Sequence, residues 1–177
     1  YASAMRGGCV VQHEGSFQEA IEHLRTAAAT GEERPLVRTM QLGGLIYKET
    51  SGARAEVVRV ANDMRKNGEP LDGDEKGRIL GFCFTPVVTS QKELVESLSA
   101  VPADDAWKTY LWLDDRPNDD GSNDKTLAHD FISANLLEVS GKRADALEKY
   151  RSLQQELKNG SGTYRDRVDD AVNRLSH

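Results

Sequence analysis

The sequence predicts an all-α fold, and three observations lead there. Apolar residues recur at three- and four-residue intervals along most of the chain, the spacing that places them on one face of a helix. The stripes break at junctions bearing Gly and Pro, where one helix can stop in the left-handed conformation and another can start. One junction occurs twice, as Thr30-Gly31-Glu32-Glu33-Arg34-Pro35-Leu36 and as Asn67-Gly68-Glu69-Pro70-Leu71, with the two Pro-Leu pairs 35 residues apart. A junction repeated at that interval predicts antiparallel helical hairpins stacked as a short solenoid, with an irregular middle and a C-terminal capping helix.

The elements follow in chain order. Phe17, Ala20, Ile21, Leu24 and Ala27 form one helical stripe, with Gln18, Glu19, Glu22 and Arg25 off it. After Pro35, the residues Val37, Met40, Leu42, Leu45 and Ile46 mark a second helix; after Ser51-Gly52, Val57, Ala61 and Met64 mark a third. Gly43-Gly44 costs the second helix roughly 1 kcal/mol per Gly relative to Ala, and close backbone packing on a neighbour is the expected compensation. The run from Ile79 to Phe84 is too short for periodicity to assign; its helical flanks favour helix, ended by Pro86, which lacks a backbone donor. Leu94, Val95 and Leu98 predict another helix, and Ala106 to Leu113 one more, with Asp104 as its N-cap. The stretch from Asp114 to Asn123 is the longest loop signal. Beyond it, Phe131, Ala134 and Leu137, the Ser140-Gly141 turn, and Leu147, Tyr150, Leu153 and Leu157 predict a hairpin. Val168, Val172 and Leu175 predict a last helix whose polar side suits a terminal cap. One domain over 1–177 is expected: regular hairpins in 1–87, irregular helix and acidic loop in 88–123, hairpin and cap in 124–177.

Composition narrows the partners. At 177 residues and 38% hydrophobic, the chain has apolar surface enough for a core. No apolar run approaches the ~20 residues that span a bilayer, so membrane insertion is not expected. A net charge of −6 argues against a phosphate-binding surface, which needs clustered Lys and Arg, so nucleic acid is not an expected partner. Between Asp104 and Asp124 seven Asp meet only Lys108 and Arg116, which reads as a solvated loop. Cys9 and Cys83 read as buried thiols, because two distant cysteines make no disulfide framework. The chain does not begin with Met and looks helical from its first residues, so a piece of a longer protein is expected. A cytoplasmic location is favoured, and an exported form is left open.

The segment Phe131 to Leu153 resembles a tetratricopeptide repeat. Ala134 and Leu137 stand where that family's first helix keeps a small and a large residue, Gly141 is at the turn, and Ala146 and Tyr150 match the second helix. Gly8, Gly15, Ala20, Leu24 and Ala27 resemble it too, as do Leu42-Gly43 with Ile46, and Leu80-Gly81 with Phe84. The junction interval is close to the family's period of about 34 residues. The likeness departs from the pattern between Val88 and Asn123; Gly7 replaces the usual large apolar residue, and no Trp opens a matched repeat. An irregular helical bundle with incidental periodicity is the structural alternative.

The resemblance implies a concave groove, lined by the first helices of successive hairpins, that receives a peptide or another protein. By alignment this face would carry Met5, Cys9, Gln12 and His13; Met40, Gly44, Tyr47 and Lys48; Arg78 and Phe82; and Phe131, Asn135 and Glu138. Lys48, Arg78 and Asn135 are too few to clamp a peptide's terminal carboxylate. Met and Tyr suit adaptable apolar recognition. The same residues have a plain reading as core, since Met and Tyr at helical spacing are more often packed than exposed.

Sequence motifs for chemistry are lacking. The chain holds no G-x-x-x-x-G-K-[ST], H-E-x-x-H or G-x-S-x-G. Cys9 and His13 would share a helical face, but a closed zinc site needs four ligands. Asn118-Asp119-Asp120-Gly121 fails as a calcium loop, because Arg116 and Leu127 would fill its first and last ligand positions. His23, His129 and His177 stand alone in sequence, and no metal or cofactor is expected. The expected function is a non-catalytic interaction module, the adaptor or regulatory part of a larger polypeptide, with packing on a second copy left open. The alternative is a helical regulatory region of an enzyme, or a small helical hydrolase. It would use Trp107, Tyr110 and Trp112 beside the acidic loop, as long loops in compact domains are often functional.

Overall fold

A computed structural model describes residues 26, 38, 42–47, 52–86, 88–115, 124–159 and 162–177. Every regular element among them is helical. A helical segment at 42–47 precedes α1 (Ala53–Asn67), α2 (Gly73–Phe84), α3 (Gln91–Leu98), α4 (Ala103–Leu113), α5 (Asp124–Val139), α6 (Arg143–Glu156) and α7 (Thr163–Leu175), with a 3-10 turn at Leu157–Asn159. Of the helix expected from Phe17 to Ala27, Thr26 is described and is helical; the Thr30–Leu36 junction lies outside the described residues.

α1 forms because its stripes are buried. Ala53, Val57, Val60, Ala61 and Met64 make one stripe, Ala55, Val58 and Asn62 a second, and Val57, Val58, Ala61 and Met64 are fully inaccessible. It packs on α2, α3 and α4. Its end is sharp because Gly68 takes φ 67°, which only Gly adopts cheaply; the Gly68 N–H donates to the Arg65 carbonyl at 3.2 Å and the Glu69 N–H to that of Met64 at 2.9 Å. The same two-bond ending closes α5, where Gly141 at φ 77° donates to Glu138 and Lys142 to Leu137, both at 2.9 Å. Both Gly stops are therefore where the sequence puts them.

The starts are set by other residues. Pro70 lies ahead of α2 rather than in its first turn. Asp72 caps that helix: its carboxylate accepts the Glu75 N–H at 2.8 Å, and the Glu75 carboxylate accepts the Asp72 N–H at 3.0 Å. Ser90 and Glu93 repeat the box at α3. Such reciprocal pairs satisfy two orphan helix donors at once. Pro102 occupies the N-cap position of α4 without a side-chain cap bond, so Asp104 is inside the first turn and not the N-cap expected for it. Its neighbour Asp105 instead bonds Lys66 at 2.7 Å and Arg65 at 3.3 Å on α1, contacts that hold its carboxyl below the usual range, the Lys66 hydrogen bond foremost.

Ile79 to Phe84 is helical and stops before Pro86, as expected. On α3 the buried side is Leu94, Ser97 and Leu98, while Val95, placed by periodicity on the stripe, is exposed. The expected close packing at Gly43 is not seen: a Cβ there would meet nothing within 4 Å.

The helices close on one continuous core. α2 also contacts α3 and α4; α5 joins the two halves by touching α3, α4 and α6, and α7 packs on α6. Two arginines hold the α2–α3 turn. Arg54 of α1 donates to the Phe82 carbonyl at 2.9 Å, pairs with Glu93 at 2.8 Å and lies 4.3 Å from the Phe82 ring centre; Arg167 of α7 donates to the carbonyls of Pro86, at 2.6 Å, and Thr89. Burial accordingly pushes the Arg167 guanidinium below its ordinary pKa.

Truncating a fully inaccessible side chain on α1 should therefore cost far more than truncating an exposed one on α3. Met64→Ala is expected to lower the unfolding free energy by about 2–5 kcal/mol. Val95→Ala should stay within about 1 kcal/mol. Urea titration followed by circular dichroism measures both, and equal losses would remove α1 from the centre of the core.

Candidate interaction cleft

The segment 42–47 rests on the core through Leu42 and Leu45 and turns Gly43 and Ile46 toward α2. Across from it, Glu75, Arg78 and Ile79 share one face of α2 by their three- and four-residue spacing. Leu71, from the junction after Gly68, closes one end. These residues bound a cleft of about 130 Å³ with an aliphatic floor of Leu42, Leu71 and Ile79 and a charged rim of Glu75 and Arg78. Gly43 leaves the mouth open, since no side chain stands there. Tyr47, four residues on from Gly43 and so on the same side of its helical turn, is 77% exposed.

The junction that closes the cleft is itself tied back. Glu69 is buried, takes the Asn67 amide at 3.2 Å and lies 3.4 Å from Arg38. The Arg38 contact is an ion pair by proximity; its Nε and Glu69 Oε2 do not meet hydrogen-bond geometry.

Of the residues expected on the groove face, Tyr47 and Arg78 are exposed beside this cleft. Phe82 is 7% exposed and stacks under Arg54, and Phe131 and Asn135 are 1% exposed, so these three are core and not open surface. Asn135 is buried at little cost because both ends of its amide are used: Nδ2 donates to the Phe131 carbonyl at 2.8 Å and Oδ1 accepts from Gln91 at 2.7 Å. Glu138 takes the Tyr150 hydroxyl at 3.2 Å and Arg174. Met5, Cys9, Gln12, His13, Met40 and Lys48 lie outside the described residues. Gly44 is buried.

Sequence reading named Trp107, Tyr110 and Trp112 beside the acidic loop but missed the histidine that joins them at the end of α4. Asp114 is buried, with its side chain inaccessible, and His129 of α5 brings Nε2 to 3.1 Å from Asp114 Oδ2. The His129 ring stands edge-on to Trp107 and Tyr110, which stack on each other at 5.7 Å, and the Tyr110 hydroxyl is 3.5 Å from the same carboxylate oxygen. Asp115 turns outward and bonds Lys76 at 2.6 Å, with Lys76 also 5.4 Å from the Trp112 ring centre. His129 looked isolated because its partner is fifteen residues away in sequence. A buried carboxylate that fixes one imidazole nitrogen leaves the other oriented.

Cys83 is buried, as expected, and burial pushes its thiol well above the ordinary range; its Sγ faces the Arg54 carbonyl at 3.8 Å. Among the described residues no three His, Cys, Asp or Glu converge as metal ligands, and no helix is long and apolar enough to cross a membrane. No family model matches the chain, and neither a curated protein nor a solved structure matches it.

Asp114→Ala takes the acceptor from His129 Nε2 in a buried setting and is expected to cost about 1–3 kcal/mol. Asp115→Ala removes an exposed pair and should cost less than about 1 kcal/mol. Equal costs in urea unfolding would mean that the Asp114 contact is not made.

Proposed function

We propose that the chain is a non-catalytic interaction module which holds a peptide or protein segment in the cleft between 42–47 and α2. It serves as the adaptor or regulatory part of a larger polypeptide. The observation that carries this reading is the cleft itself: an aliphatic floor, a mouth without a side chain, and charge confined to the rim. Its size supports peptide recognition over catalysis on a small molecule, since small-molecule pockets usually enclose ~300–1,000 Å³. A short tetratricopeptide-like stack is the architecture we propose for it. The serial packing of α5, α6 and α7 with the Gly141 turn supports that; the contact of α1 with α4, three helices on, is bundle-like.

A second reading, a helical hydrolase or the regulatory region of an enzyme, is favoured by one observation, the Asp114–His129 pair on its aromatic bed. An imidazole oriented by a carboxylate is an arrangement used by general bases.

Gly43→Phe separates the two. A Cβ at Gly43 meets nothing within 4 Å, so a side chain can start there at the mouth of the cleft, and Phe is no worse a helix former than Gly. Peptides selected from a random library on the wild-type chain should bind at least tenfold more weakly to Gly43→Phe at undiminished helicity. Retention of full affinity would overturn the cleft reading. Turnover in a hydrolase substrate screen that is lost in His129→Gln would install the second reading in its place.

A further inference from the structure

We propose that the segment held in the cleft presents one large apolar side chain between unlike charges, a carboxylate toward Arg78 and a cation toward the first turn of α2. The proposal rests on the interaction reading above and names the chemistry of its partner. Size sets the first part. A cavity of ~150 Å³ lined by Leu, Ile and Phe stays dry and takes a benzene-sized guest. The cleft, at about 130 Å³ over Leu42, Leu71 and Ile79, is of a size to take one branched aliphatic or aromatic side chain through its open mouth.

The rim sets the second part. Arg54, Arg65 and Arg167 are each committed to partners within the fold. Arg78 is exposed and, among the described residues, makes no hydrogen bond or ion pair, so its guanidinium is available to a ligand. One turn back, about 5 Å along the helix axis, stands Glu75, the acid that shares the rim with Arg78, with Asp74 next to it in the first turn. Glu75 accepts the Asp72 N–H with one carboxylate oxygen. The rim is thus acidic at one end and basic at the other. A segment bearing only acidic residues would be attracted by Arg78 and repelled a turn away; unlike charges on either side of the apolar anchor satisfy both ends.

The test uses the full chain and four peptides with blocked termini, each a Gly/Ser background around a single Leu flanked by Glu and Lys, by Glu alone, by Lys alone, or by neither. Titrations follow the amide shifts of Gly43 and Ile79 in the wild type and in Arg78→Glu. The doubly charged peptide should bind about two- to fivefold more tightly than the uncharged one, the size of an exposed ion pair. Salt should shrink the difference. Arg78→Glu should turn the contribution of Glu unfavourable and leave that of Lys undiminished. If all four peptides shift Gly43 with equal affinity, or if Arg78→Glu changes nothing, the charge proposal is overturned while the cleft reading stands. If none of them shifts Gly43 or Ile79, while library-selected peptides still depend on Gly43, only the proposed partner fails; if neither class of peptide binds, both readings fail.

Discussion

Burial of α1 is the constraint from which the rest of the described fold follows. Its sequence is not intrinsically a strong helix: Val57, Val58 and Val60 each lose side-chain freedom there, at a cost of at most about 0.7 kcal/mol apiece. Removing each of those side chains from water contributes roughly 1.5–3 kcal/mol, so packing decides the outcome. Because α1 is buried along two stripes, it requires cover from several directions. α2, α3 and α4 provide it, and the small Ala53, Ala55 and Ala61 let them approach.

Polar groups then fix how that cover is arranged. Thr109 of α4 and Arg65 of α1 both bond the buried Asn62 amide oxygen, at 3.2 and 3.0 Å. A side-chain amide that deep must be satisfied, so α4 has one register in which it can sit. At the α2–α3 turn, Arg54 and Arg167, far apart in sequence, reach backbone carbonyls and tie α1 and α7 to the same short stretch. Within the C-terminal hairpin, Arg143 donates to the last carbonyls of α7, near 3.2–3.3 Å, where a cation also suits the helix dipole.

Much of this was legible where local chemistry decides. Gly68 and Gly141 end helices because a positive φ is cheap only for Gly, and Pro86 stops α2 for want of a donor; each effect acts over a few residues and is visible in sequence. The Asp72–Glu75 and Ser90–Glu93 boxes are equally local, yet the sequence reading starts α2 at Pro70 and names no cap for α3. What sequence could not show is which stripe meets which. Phe82, Phe131 and Asn135 share the spacing of groove residues, but only the arrangement of neighbours reveals that they are covered. Tyr47 and Arg78 share the same spacing and are exposed. The Asp114–His129 pair depends on α4 and α5 coming together, which no short-range pattern encodes. The cleft, too, is a product of packing, since Gly43 reads in sequence as a close approach and in the structure as an opening.

The cleft is built on α2 and the Asp114–His129 pair on the end of α4, and both helices pack on α1, so both sites lose their geometry if α1 is not the organising element. Native-state amide hydrogen exchange across the chain tests that directly. Amides of Val57 to Met64 should open only with global unfolding, so that their exchange free energy equals the unfolding free energy from denaturant, while those of α7 open at lower cost. Exchange of the α1 amides through a smaller opening, with α5 and α6 still protected, would contradict the account.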